Sequence, residues 1–151
     1  MKTANNFDEL RAMMLQKLVV IIRTEIATLI QEHQRLRIQT DVYDYYDRIR
    51  GGYNPKPDGS HYRRTYELKD NINISNINNG AVVANDSHDE NILQIVESGQ
   101  GYNWRNSMIA QLQLPRPFFS NTIDDINRGL LDGDIARILS SHGISGGVMR
   151  N

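Results

Sequence analysis

Cysteine is absent from all 151 residues, so disulfides, thiol nucleophiles and thiolate metal sites are excluded together. An excess of either charge is also missing. Seventeen basic residues against eighteen acidic ones leave a formal net charge of -1, so the molecule as a whole would not hold a polyanion, and any nucleic-acid contact must be local. The longest apolar run, Leu18 to Ile22, ends at Arg23, far short of the roughly 18 to 20 residues needed to span a bilayer. Near the start, Lys2 is followed by Asn5, Asn6, Asp8 and Glu9 rather than by an apolar stretch, which is not the order of a secretory signal. The expectation is a protein made and used without crossing a membrane.

Recognisable catalytic spacing is lacking too. The histidines at 33, 61, 88 and 142 include no pair four apart on a helix face, so no metal site is expected. His33 falls on an apolar stripe, where a hydrogen-bonded core histidine is the simpler reading, and His88-Asp89-Glu90 reads as a solvated turn. Gly99-Gln100-Gly101 lacks the third glycine of a dinucleotide loop, and Asp132-Gly133-Asp134 lacks the later ligands of a calcium loop. No cofactor and no catalytic residue is assigned, and the expectation is that the chain is not an enzyme.

What is present is periodicity, with 39% hydrophobic residues available for one modest core. Phe7, Leu10, Met14, Leu18, Ile21, Ile22, Ile26, Leu29, His33 and Leu36 recur at steps of three and four, which predicts a long amphipathic helix over about 6–38. Asn6 with Glu9 has the form of its cap. Such a helix would be on the order of 48 Å long and would overhang a small domain, so its end must be solvated or packed on another subunit. A second apolar set, Met13, Val20, Ala27 and Ile30, favours packing. Sheet and loops are expected over about 53–117. Within them Ile72 and Ile74 alternate with polar residues, Asn78-Asn79-Gly80 signals a hairpin with positive φ at its centre, and Ala81 to Ala84 returns. Ile92 to Val96 is a third strand candidate or a buried helical turn, and Glu97 to Leu114 a long connection. Pro115 and Pro117 stop regular structure. A C-terminal helix over about 121–142, capped from Ser120, Asn121 or Thr122, shows Ile123, Ile126, Leu130, Ile135, Ile138 and Leu139, with a bend near Gly133. Gly143 would close it, and 145–151 would fray. The sum is a single α+β domain, 1–151, in which a small antiparallel sheet is covered by the long N-terminal helix and the C-terminal helix.

One local basic cluster stands out. Arg48, Arg50, Arg63 and Arg64 are interleaved with Tyr53, Tyr62 and Tyr66, a composition that can hold phosphates and stack bases. Nearly as many acids surround it, among them Asp44, Asp47, Glu67 and Asp70, so ion pairing is the favoured reading and a small nucleic-acid-binding module the alternative.

Four short elements occur in order: Tyr53-Asn54-Pro55, then Tyr62-Arg63-Arg64-Thr65-Tyr66-Glu67-Leu68, then Val96-Glu97-Ser98-Gly99, then Arg116-Pro117-Phe118. Together they resemble the tail-completion or head-tail joining proteins of long-tailed bacteriophages. The positions that match are Tyr53, Pro55, Tyr62, Arg64, Thr65, Leu68, Glu97, Gly99, Arg116, Pro117 and Phe118, while Ser98 stands where the family usually has an aromatic residue. The resemblance implies a structural virion protein in the phage neck, made in the host cytoplasm and assembled with itself as a ring, typically a hexamer. Neighbouring connector and tail proteins would be its partners, and genomic DNA would pass through the axial channel without being read. The motif residues would be internal scaffold. Candidate contacts between subunits are aromatic residues of the loops: Tyr43, Tyr45, Tyr46, Tyr102, Trp104 and Phe119.

Overall fold

The computed structural model describes residues 6–45, 66–86, 90–101 and 113–145. Helix begins where the sequence signals it: the Asn6 side chain accepts a hydrogen bond from the Glu9 backbone N–H at 2.9 Å. From there the rod continues beyond Ile38 as α1 (Phe7–Ile21), a π-helical turn (Ile22–Ile26), α2 (Ala27–Arg37) and a second π-helical turn (Ile38–Asp44). Its length is on the order of 57 Å. Threonine hydroxyls compete for backbone carbonyls in and beside both π turns, Thr24 with Val20 at 2.8 Å, Thr28 with Thr24 at 2.5 Å and Thr40 with Leu36 at 3.1 Å. Each π turn advances the helical phase, so the buried line runs Ile21, Ala27, Gln34, Ile38, Val42, Tyr43, and the expected stripe member Leu36 faces solvent.

The fold is α+β. After α3 (Glu67–Asp70), strands β1 (Ile72–Ile77) and β2 (Gly80–Asn85) pair antiparallel, with Ile72 opposite Asn85, Ile74 opposite Val83 and Ile77 opposite Gly80. The face carrying Ile72 and Val83 packs on α2 and joins Ile38, Val42, Tyr43, Leu68, Val96 and Phe118 in the core. Ile92 to Val96 is no strand: it lies in helix α4 (Glu90–Ser98), where Ile92, Leu93 and Val96 share one face at helical spacing against that core. Among the described residues the sheet therefore has two strands.

The hairpin turn differs from expectation. Asn78 and Asn79 are its central residues, and neither they nor Gly80 has positive φ. A turn of that kind does not match the twist of its strands. Arg23, in the first π turn, compensates: its guanidinium donates to the carbonyls of Ile77 at 2.5 Å, Asn78 at 2.9 Å and Gly80 at 3.3 Å.

The C-terminal segment is two helices, α5 (Phe118–Asn127) and α6 (Asp132–Ser141), so it starts earlier than expected and breaks before Gly133. The break is at Gly129, φ 81°, where Gly129 N–H bonds to Ile126 and Leu130 N–H to Asp125, closing α5 with a left-handed glycine. Gly143, φ 73°, ends α6 the same way through Ile144 N–H to Leu139. The buried face of α5 is Phe118, Thr122 and Asp125, while Ile123 and Leu130 are exposed.

Asp125 fastens α5 to the long helix. Arg37 donates to both its oxygens at 2.6 Å, and His33 Nε2 lies 2.7 Å from Oδ2. Because an ionised carboxylate only accepts, the histidine nitrogen is the donor. Burial by itself would raise the Asp125 pKa, but the hydrogen bonds and charges of Arg37 and His33 outweigh it and hold the carboxyl below its ordinary value. Among the described residues no helix is long and apolar enough to cross a membrane.

Two outcomes are expected on urea unfolding. Asp125→Asn should lose about 3 kcal/mol, because the Arg37 charge keeps its place without its carboxylate. In the unsubstituted chain the contribution of Asp125 is complete above the ordinary carboxylate pKa and is lost as pH falls through the lowered folded value. The gap between the two proteins should therefore be constant at neutral pH and close in strong acid.

Candidate functional site

Two of the short sequence elements, Val96 to Gly99 and Arg116 to Phe118, meet in space. Arg116 N–H donates to the Val96 carbonyl at 3.0 Å, bringing the chain before α5 against the end of α4. Pro117 precedes α5 and offers no side-chain cap. Instead the Glu97 carboxylate receives the Phe119 N–H at 3.0 Å, the Ser120 N–H at 2.9 Å and the Ser120 hydroxyl at 2.5 Å. These are orphan donors of the first helical turn, and a carboxylate there also complements the helix dipole. Gly99, φ 72°, terminates α4, and a Cβ on it would lie 2.4 Å from the Leu114 carbonyl carbon and 2.5 Å from the Pro115 nitrogen. Phe118 is wholly buried beneath this junction. Glu97, Gly99, Arg116, Pro117 and Phe118 thus form one knot, with Gly99, Arg116 and Phe118 buried and Glu97 and Pro117 half-buried.

Leu68 is buried in the same core, two residues after Tyr66, whose φ is 57° and whose ring meets Tyr43 edge-on at 5.2 Å. Lys69 crosses the Tyr66 ring at 5.6 Å and donates to Gln39 at 3.1 Å. Among the interface candidates, Tyr43 is core, Tyr45 is half-buried and Phe119 is exposed. Tyr46, Tyr102 and Trp104 lie outside the described residues, as do Tyr53, Pro55, Tyr62, Arg64 and Thr65. The basic cluster at Arg48, Arg50, Arg63 and Arg64 lies outside them too, as do His61, His88 and 146–151.

The most open apolar surface is at the start of α1. Phe7 is 78% exposed, Leu10 47%, Met14 53% and Leu15 52%. With Arg11, Leu18 and Ile144 they line a shallow groove along the helix, one end of which is closed by the chain leaving α6. Near that end Lys17 donates to the His142 carbonyl at 2.5 Å, and His142 Nε2 pairs with Glu25. The groove contains no acid–base pair, and among the described residues no cluster of three potential metal ligands occurs. What this surface can do chemically is bury apolar area against another surface.

Residues 6–140 match the YomN protein family. The chain belongs to that family. It is 27% identical over 143 residues to the SPbeta prophage-derived uncharacterized protein YomN of Bacillus subtilis (strain 168), a match covering 93% of this chain and 97% of that protein. The relationship ties the chain to phage-encoded proteins and spans α1 to α6, including both halves of the Glu97–Phe118 knot. No solved structure matches.

The knot has a direct test. Gly99→Ala should cost at least about 3 kcal/mol, since positive φ and the adjoining backbone of Gln113 to Pro115 leave no room for a methyl group. Gly133→Ala, where a Cβ meets nothing within 4 Å, should be neutral or stabilising by up to about 1 kcal/mol. Thermal melts of the two variants read the difference.

Proposed function

We propose that this protein is a structural component of the phage particle that works by assembly rather than turnover, forming a ring in the neck between head and tail. Copies of the chain, in a hexamer by the resemblance of its motifs, surround an axial channel for genomic DNA, and connector and tail proteins sit on either side. The observation that carries the reading is the apolar end of α1. Four large side chains, Phe7, Leu10, Met14 and Leu15, stand about half or more in solvent on one continuous stretch of helix. Exposed apolar surface of that kind marks a contact with another macromolecule. The tie to phage-encoded proteins supports the setting, and the resemblance of the four motif elements to head-tail joining proteins supports the place in the particle.

The Glu97–Phe118 knot supports the same reading from the other side. Glu97 caps α5 and Gly99 takes the close approach of Leu114 and Pro115, so these matching residues act as scaffold that fixes α4 against α5, as expected of a subunit whose work is to keep a shape.

Light scattering of the purified native chain should give a defined multiple of the 17.3 kDa subunit mass. Negative-stain images of that species should show a closed ring with a hole wide enough for duplex DNA. Leu10→Glu with Met14→Glu should abolish the oligomer while leaving the melting temperature within a few degrees, since both positions are exposed in the subunit. A native chain that stays monomeric at every concentration and binds duplex DNA in a salt-dependent way would replace this reading with that of a nucleic-acid-binding module.

A further inference from the structure

The helix α6 differs from every other long element in how it is held. None of its residues is buried: Ile135, Ile138 and Leu139 are half-covered, the helix meets the long helix at the first π turn, and among the described residues Arg137 pairs with Asp134 of the same helix. Its tail end is pinned to the long helix by two polar contacts, Lys17 with the His142 carbonyl and Glu25 with His142. Both lie near the surface, where such pairs contribute little. The helix before it is anchored at both ends, by Glu97 at its start and by Asp125 near its finish. Between the fixed helix and the loosely held one stands Gly129 in a left-handed turn, and beyond it Leu131, buried, caps α6 and accepts the Ile135 N–H, so it belongs to the arm.

From this we propose that α6 is an exchangeable arm, which leaves the long helix of its own subunit and takes the identical seat on the long helix of a second copy. The proposal rests on the assembly reading and names the element that links one copy to the next. Nothing new has to be complementary, because the seat used between subunits is the one seen within the subunit. The burial of Leu131, the cover over Ile135, Ile138 and Leu139 and the His142–Glu25 pair are the same in both states. Exchange therefore costs little beyond opening the turn at Gly129, and domain swapping is a low-cost route to association for that reason. Once neighbouring copies touch elsewhere, the effective concentration of the next seat is high and the arm can bridge without further ordering.

The absence of cysteine makes a clean test available. Full-length chains carrying Glu25→Cys are mixed with full-length chains carrying His142→Cys, at the concentration where light scattering shows association, and treated with a short bis-maleimide. Exchange predicts covalent dimers containing one chain of each kind. Adding Gly129→Ala, which disfavours the closed left-handed turn, should raise the dimer fraction several-fold. In the unsubstituted chain, hydrogen exchange should release the amides of α6 well before those of α5. Cross-linking confined to single chains carrying both cysteines, with no mixed dimers, overturns the exchange, as does equal protection of α5 and α6. Imaging the same sample reads the ring separately: a ring without mixed dimers refutes the arm and leaves the assembly reading standing.

Discussion

The carboxylate of Asp125 fixes the relation between the two ends of the chain. Arg37 reaches it with two hydrogen bonds and His33 with a third, from positions one turn apart on the long helix. Its own backbone carbonyl accepts the Leu130 N–H that closes α5. One residue therefore sets both how α5 lies on the long helix and where α5 stops. Asp41 extends the arrangement, taking Asn121 at 2.9 Å and standing 3.6 Å from Arg37. A buried carboxylate with three charge-assisted bonds is a directional device: apolar packing alone would tolerate sliding of α5 along the rod, whereas a bidentate arginine does not.

The polar clamp and the hairpin both engage the long helix, and the hairpin shares one apolar core with α5. Gln31 donates to the Ile72 carbonyl at 2.6 Å and Arg23 holds the turn, so the hairpin is attached by side chains to backbone as well as by its apolar face. A two-stranded sheet is marginal in isolation. Here the helix supplies what further strands would otherwise supply.

Much of this was legible in the sequence, and the parts that were not share a cause. The long helix, its Asn6 cap, the hairpin and the glycine that ends α6 follow from local patterns that depend on the backbone of a few residues. Polar residues buried by tertiary contact leave no such pattern. Thr122 and Asp125 look like solvent-facing or capping residues of α5, yet both lie on its buried face: Thr122 returns its hydroxyl to the Phe118 carbonyl one turn back, and the partners of Asp125 lie 88 and 92 residues away on the long helix. Arg23 reads as the residue that ends an apolar run, and only the fold shows it gripping three carbonyls of a turn. The cap of α5 was sought in Ser120, Asn121 and Thr122 and is supplied by Glu97, which no local rule could select. The apolar end of α1 was visible as a stripe longer than one domain needs. That its first members stay exposed depends on where the other layers stop.

The overhang also has an energetic logic. An isolated helix of three turns would not form in water, because nucleation is unfavourable. Here the nucleus already exists in the packed part of the rod, so Phe7 to Lys17 need only propagate from it, assisted by the Asn6 cap. Their apolar side chains are thus presented in fixed relative positions before any partner arrives. Association over this surface, as proposed, would meet little backbone ordering cost, and that cost is one of the main terms opposing binding by unstructured segments. A helix grown past its own core is a means of holding hydrophobic surface ready without spending the stability of the subunit, and the spacing of Phe7, Leu10, Met14 and Leu15 commits that surface to one face.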